Sequence, residues 1–269
     1  MSTATLSRVS LDGVGFDALT EGEAVAAVRA ALDRGEGGRI VTPNVDIMRM
    51  AQRKSVVRDY LADATLVVAD GMPLVWASRL AGTPLPQRVP GSGLIWSLSD
   101  GLAADRRSVY VLGGQPATEH GAPDGAARAA YRLAQCCPGL RIAGHACPPY
   151  GFESHWSAID QVCADVVERR PDLVFVGLGF AKQEWLISLL RPELPGTWFL
   201  GCGAAVNFVA GDVPRAPQWM QRSGLEWLHR MSCEPRRLAG RYLGHDAPYA
   251  LRLLRRSARA KVTVVRQLA

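Results

Sequence analysis

At 269 residues, 48% of them hydrophobic, the chain is long enough for one α/β unit with a large core and an appendage beyond it. The opening stretch MSTATLSRVSLDGVGF lacks the apolar core of a signal peptide, and no run approaches the roughly eighteen apolar residues of a membrane span, so a cytoplasmic protein that does not cross a membrane is expected. The net charge of +6 divides unevenly: from Arg215 onward eleven Arg and Lys261 face only Glu226, Glu234 and Asp246, a local charge of +9 that leaves −3 on the rest.

Along the chain, apolar runs rich in β-formers alternate with helix-length segments. The runs are RIVTPN (39–44), TLVVAD (65–70), SVYVLGG (108–114), LRIAGHA (140–146), DLVFVGLG (172–179) and TWFLGCG (197–203). Continuous apolar strands separated by helices predict a Rossmann-like α/β fold, a parallel sheet covered by helices on both faces. Ligands of such sheets bind at the carboxyl ends of the strands. The predicted site therefore gathers Thr42 and Asn44, Asp70 and Gly71, Gly113 and Gly114, Gly177 and Gly179, and Gly201 and Gly203.

The alternation stops at GDVPRAP (211–217), where two prolines divide a catalytic domain, 1–213, from a basic appendage, 214–269. In the appendage Trp219, Leu225, Trp227, Leu228, Met231 and Leu238 are interleaved with Arg222, Arg230, Arg236, Arg237 and Arg241. That is the composition of an amphipathic helix lying on an anionic membrane, and equally of a helix docked on its own domain. A second copy of the chain is a further cover for the apolar face, which leaves a homo-oligomer open.

Several chemistries find no support. GLGFAK at 177 and GCGAAV at 201 begin G-x-G but lack the third glycine and the later acid of a dinucleotide fold, and neither a P-loop nor a G-x-S-x-G elbow occurs. Nucleic-acid binding ranks low, because the arginines sit among Trp and Leu with no finger or RNP-like signature. Cys136, Cys137, Cys147, Cys163, Cys202 and Cys233 form no C-x-x-C pair and no metal spacing with histidine, so free thiols and no bound metal are expected. Asp70, in ADGMP, stands where a strand meets a helix; it suits an N-cap, and equally a base beside Thr42 and Asn44.

TPNVDIMRMA, LVVADGMPLVWASRLAGTPLPQRVPGSGL, CPPYGFE, VGLGFAKQEW and GCGAAVNFVAGDVPRAPQWMQRSGLEWLHRMSCEPRRLAGRYL, in this order over about residues 10–245, resemble the successive motifs of the WecG/TagA/CpsF glycosyltransferases. The resemblance implies an inverting enzyme on the inner face of the bacterial membrane. It would move a hexose of the N-acetylmannosamine or glucose type from a UDP-sugar to a polyprenyl-diphosphate-linked saccharide of cell-surface or exopolysaccharide biosynthesis. It further implies Asp70 as the base, with Thr42, Asn44, Arg88 and Gln183 in the same pocket and appendage arginines completing it.

One-step inversion needs a single carboxylate to take the acceptor's proton. Leaving UDP needs positive charge, and with no D-x-D pair in the chain arginine is the substitute, so Arg88, Arg230, Arg237 and Arg241 are candidates and no cofactor is called for. Tyr150 is placed to stack on uracil or to anchor its loop. Gln183 either meets an anion at a helix start or caps that helix. Asn207 stands where the family commonly has an acid, and Pro90 where a Thr is frequent; an amide at 207 can still pair with the polar edge of uracil. A non-catalytic nucleotide- or lipid-binding regulator using the same sheet edge is the competing reading.

Overall fold

The computed structural model describes residues 7–119 and 121–268, with the side chains of Arg222, Arg237 and 261–268 left aside. A hairpin of β1 (Arg8–Leu11) and β2 (Val14–Asp17) leads into α1 (Glu21–Asp33), β3 (Gly38–Val41), α2 (Val45–Ala51), α3 (Ser55–Ala62), β4 (Leu66–Val67), α4 (Met72–Ala81) and α5 (Gly91–Ala104). Then come β5 (Ser108–Gly113), α6 (Gly125–Cys136), β6 (Arg141–Ala146), α7 (Trp156–Arg169), β7 (Leu173–Gly177), α8 (Lys182–Leu190), β8 (Trp198–Gly201) and α9 (Ala205–Ala210). Four helices follow: α10 (Gln218–Ser223), α11 (Glu226–Cys233), α12 (Pro235–Arg241) and α13 (Ala247–Leu268).

Six strands form one parallel sheet in the order β4-β3-β8-β7-β5-β6. Each of the six apolar runs read from the sequence supplies one of them. Neighbouring residues in a strand point to opposite faces, and the core divides accordingly. Val109, Val111, Leu173, Phe175, Trp198 and Leu200 face α1, α5, α6 and α9. Tyr110, Leu112, Val174, Val176 and Phe199 face α7 and α8. Val41 and Val67 pack with the hairpin, α2, α3, α4 and α13. Because both faces are covered, the strands read as unbroken apolar runs.

Local chemistry sets the helix starts. Thr20 and Glu23 form a reciprocal capping box on α1, and the Asn44 and Asp124 side chains accept amide hydrogens at the starts of α2 and α6. At α4, by contrast, Gly71 is the N-cap residue and no side chain caps the helix. Asp70 stands one residue before it, with its carboxylate unspent on the turn.

The β1–β2 hairpin went unread in the sequence, although its signal is present. Asp12 and Gly13 both have positive φ, at 48° and 85°, the backbone that a two-residue turn between right-twisted strands requires. This turn also holds the end of the chain. Tyr249 Oη donates to Asp12 Oδ2 at 2.8 Å, and Arg256 Nη1 donates to Asp12 Oδ1 at 2.9 Å, fastening α13 where it packs along α4. Hydrogen bonds to a charged acceptor contribute about 1.5–3 kcal/mol. Tyr249→Phe should therefore lower unfolding free energy by about 1–2 kcal/mol in urea titration, since Arg256 still engages Asp12.

Candidate active site

The carboxyl ends of the strands converge as the parallel sheet requires. Gly113 pairs with Gly177 across β5 and β7, and Val176 pairs with Gly201 across β7 and β8. At Gly113, φ is +112° and an added Cβ would lie 2.5 Å from the Gly177 carbonyl oxygen, so the close strand ends demand glycine there. Asp70 N donates to Pro43 O at 2.9 Å, which sets the end of β4 beside Thr42 and Asn44. Val89 N donates to Ala69 O at 2.8 Å, and this return of the chain brings Arg88 back to Asp70.

Asp70 is half-buried, and among the described residues nothing hydrogen-bonds its carboxylate. Loss of water at the cleft pushes its carboxyl up to about 6; the Arg88, Arg230 and Arg215 guanidiniums pull the other way, and the Glu226 carboxylate adds to the rise. Arg88 Nη2 donates to Glu226 Oε2 at 2.8 Å, and Arg215 Nε stands 3.6 Å from Glu226 Oε1 while its Nη1 donates to Ser92 O at 3.0 Å. The Arg230 guanidinium lies over the Phe208 ring, 5.6 Å from its centroid. Three cations from three chain segments thus converge on the Asp70 carboxylate, with the Glu226 carboxylate as counter-ion to Arg88 and Arg215.

Thr42 is buried beside the start of α5, where a Cβ at Gly91 would stand 3.3 Å from Thr42 Oγ1. Asn44 spends its Oδ1 on Ile47 N at 3.0 Å as the cap of α2. Its amide NH2 has no hydrogen-bond partner among the described residues.

Gln183 does not cap its helix. Its Oε1 accepts from Gly203 N at 3.1 Å and its Nε2 donates to Glu184 Oε1 at 3.2 Å, so it fixes the loop that follows β8. A Cβ at Gly201 would collide with both Gln183 and Glu184. Glu184 is fully buried 3.7 Å from fully buried Arg39 of β3, and burial raises its carboxyl to about 7. Arg39 in turn donates to Asp63 Oδ2 and Tyr60 O at 2.7 and 2.9 Å.

Gly114 continues the backbone of positive φ begun at Gly113, and Gly179 lies open with φ +85°. Tyr150 is 77% exposed, its hydroxyl donating to Gln115 Oε1 at 2.6 Å, which holds the ring over the loop that leaves β5. Asn207, on α9, carries a buried Oδ1 without a hydrogen-bond partner. Arg241 belongs to a separate cluster, 3.6 Å from Asp46 Oδ2 and 3.9 Å from Asp246 Oδ2. The Arg237 side chain lies outside the described residues. Sequence reading missed Arg215, Glu226 and Glu184 as members of the site. The QE pair directly after GLGFAK was the signal for Glu184, and nothing local marks the other two.

Comparisons with known proteins show which family the chain resembles along nearly its whole length. The family described as glycosyl transferase WecG/TagA/CpsF matches residues 9–263. A protein of Bacillus spizizenii (strain ATCC 23059 / NRRL B-14472 / W23), named N-acetylglucosaminyldiphosphoundecaprenol N-acetyl-beta-D-mannosaminyltransferase, is 31% identical over 206 residues, 77% of this chain and 75% of its own. A protein of the same name from Staphylococcus aureus (strain NCTC 8325 / PS 47) is 29% identical over 238 residues, 86% of this chain and 87% of its own.

Breaking one partner of a buried ion pair leaves the other charge uncompensated, at a cost of about 3–5 kcal/mol. Arg39 keeps its bonds to Asp63 and Tyr60 O when Glu184 is neutralised, so Glu184→Gln should cost less than that, about 1–3 kcal/mol in chemical denaturation, whereas Asp63→Asn, at the exposed end of the Arg39 network, should cost under about 1 kcal/mol.

Proposed function

The chain belongs to the glycosyl transferase WecG/TagA/CpsF family, and on that premise we propose that it is an inverting hexosyltransferase. Its donor is a UDP-sugar carrying a hexose of the N-acetylmannosamine or glucose type. Its acceptor is a polyprenyl-diphosphate-linked saccharide of bacterial surface or exopolysaccharide synthesis. The observation that carries the reading is Asp70: a carboxylate just beyond β4, without a hydrogen bond among the described residues, raised to about 6 by burial and ringed by Arg88, Arg215 and Arg230.

In this reading Asp70 takes the proton of the acceptor hydroxyl as its oxygen attacks the anomeric carbon. The bond from that carbon to the UDP oxygen breaks on the opposite face, which inverts the centre, and UDP departs. Guanidiniums take up the charge that develops on the diphosphate, without a metal. Gln183 and the Gly203 amide define the nucleotide side of the pocket, with Tyr150 as the base platform and Asn207 at the base edge.

Asp70→Asn keeps the shape and removes the base. Transfer should fall by at least about 100-fold in a UDP-release assay with lipid-linked acceptor, while UDP binding persists. In the parent enzyme log kcat/KM should drop with unit slope below about pH 6, where Asp70 is protonated. Glu226→Gln removes a like charge, lowers the affinity of Asp70 for its proton, and should move that limb to lower pH. Full activity of Asp70→Asn would overturn the assignment.

The segment 214–269 is read as the attachment to the anionic inner face of the membrane. No helix among the described residues is long and apolar enough to cross a bilayer, but Trp219 and Leu243 are 63% and 57% exposed on this cationic segment. Trp219→Ser combined with Leu243→Ser should cut co-sedimentation with phosphatidylglycerol vesicles about tenfold. Unchanged sedimentation would remove the attachment from these residues.

A further inference from the structure

A groove runs between α4 and α5, roofed by α10. One wall is the helix that follows β4, and the groove shares Arg88 and Arg215 with the surroundings of Asp70, whereas Gly113, Gly177 and Gly201 close β5, β7 and β8, farther along the sheet order. Its walls combine two chemistries. Arg79, Arg88 and Arg215 supply cations, and Met72, Pro86 and Trp96 supply apolar surface. The Arg79 side chain makes no ion pair or hydrogen bond among the described residues, and Arg215 Nε is buried with no hydrogen-bond partner. Arg88 and Arg215 already converge on the one Glu226 carboxylate, at 2.8 and 3.6 Å, so their spacing suits a shared anion. Glu21, the carboxylate on the groove wall, is occupied by the Ser97 hydroxyl. Outside the groove, α4 presents Trp76 and Leu80 to solvent, 43% and 42% exposed, apolar surface of the kind that meets lipid.

We propose that this groove is the binding site for the prenyl diphosphate of the acceptor, the diphosphate on Arg79, Arg88 and Arg215 and the first prenyl units along Met72, Pro86 and Trp96. The inference rests on the transferase reading and adds direction to it. A displacement in line needs nucleophile and leaving group on opposite faces of the anomeric carbon. A groove walled by the helix after β4 delivers the acceptor hydroxyl to Asp70 from the face away from the strand ends that hold the nucleotide. The two ligands then meet at Asp70 without sharing a diphosphate site or a path of entry.

The test uses the full chain and farnesyl diphosphate as probe, titrated calorimetrically with and without saturating UDP. Binding is expected in both conditions, with inorganic pyrophosphate and farnesol each at least tenfold weaker, since the groove pairs charge with apolar surface. Arg79→Glu, and separately Ser97→Trp, which fills the groove, should each weaken the probe at least tenfold while leaving melting temperature and UDP affinity unchanged. Arg79→Gln, a milder change, should weaken it by a smaller factor and keeps the test readable should charge reversal unsettle the fold. Undetectable binding to the parent protein, competition by UDP, or parent-like affinity in these variants would overturn the proposal. Donor turnover is scored apart: binding in the groove without sugar transfer would sink the transferase reading alone, and transfer with an indifferent groove would sink the groove alone.

Discussion

The ion pair of Arg39 and Glu184 is the constraint on which the geometry of the site depends. A guanidinium in the middle of a parallel sheet is costly unless its charge is matched. Here Glu184 matches it from α8, at 3.7 Å, with both side chains fully buried. That match joins β3 to α8 and leaves the neighbouring residue, Gln183, a single arrangement: one end on Glu184, the other on the Gly203 amide. The loop after β8, the start of α8 and β3 are thereby held together at the carboxyl side of the sheet, where the candidate site lies.

A second consequence follows from where polar chemistry is left over. At three helix starts, α1, α2 and α6, a side chain is consumed in capping, as Asn44 is at α2. At α4 the cap is glycine, so the Asp70 carboxylate one residue earlier is free for other work, and the desolvation that makes it a weak acid also makes it a competent proton acceptor near neutral pH. Arginines from the 88, 215 and 230 regions keep it from becoming neutral altogether, and Glu226 keeps those arginines from overwhelming it. The balance is local, but its members come from positions far apart in the chain.

That separation decides what the sequence could reveal. The six strands were legible because burial on both faces imposes long apolar runs, and the joint at Asp70 was legible because a strand, an acid, a glycine and a proline follow one another directly. Resemblance to family motifs pointed to Arg88, Gln183 and Arg230. Glu226 and Arg215 appeared only as charges in a basic tail, since an ion pair with Arg88 is a fact of tertiary structure. Arg39 stood at the start of the run RIVTPN, and nothing beside it announces that Glu184 faces it. Arg241, grouped with the other appendage arginines by composition, stands instead with Asp46 and Asp246. The hairpin at Asp12–Gly13 carried its turn signal openly and was simply not an apolar run of the kind that marked the others.

The contact of Asp12 with Tyr249 and Arg256 bears on how the molecule is made. It closes nearly the whole chain into a loop, joining residues 237 and 244 positions apart. Contacts of such sequence separation form late, because their closure entropy is met before they return any stabilisation. During synthesis the sheet, Asp70 and Arg88 leave the ribosome well before Arg215, Glu226 and Arg230. A nascent chain therefore carries its carboxylate with Arg88 alone, and Arg215 and Arg230, with the Glu226 that balances them, join it only when the later segment emerges.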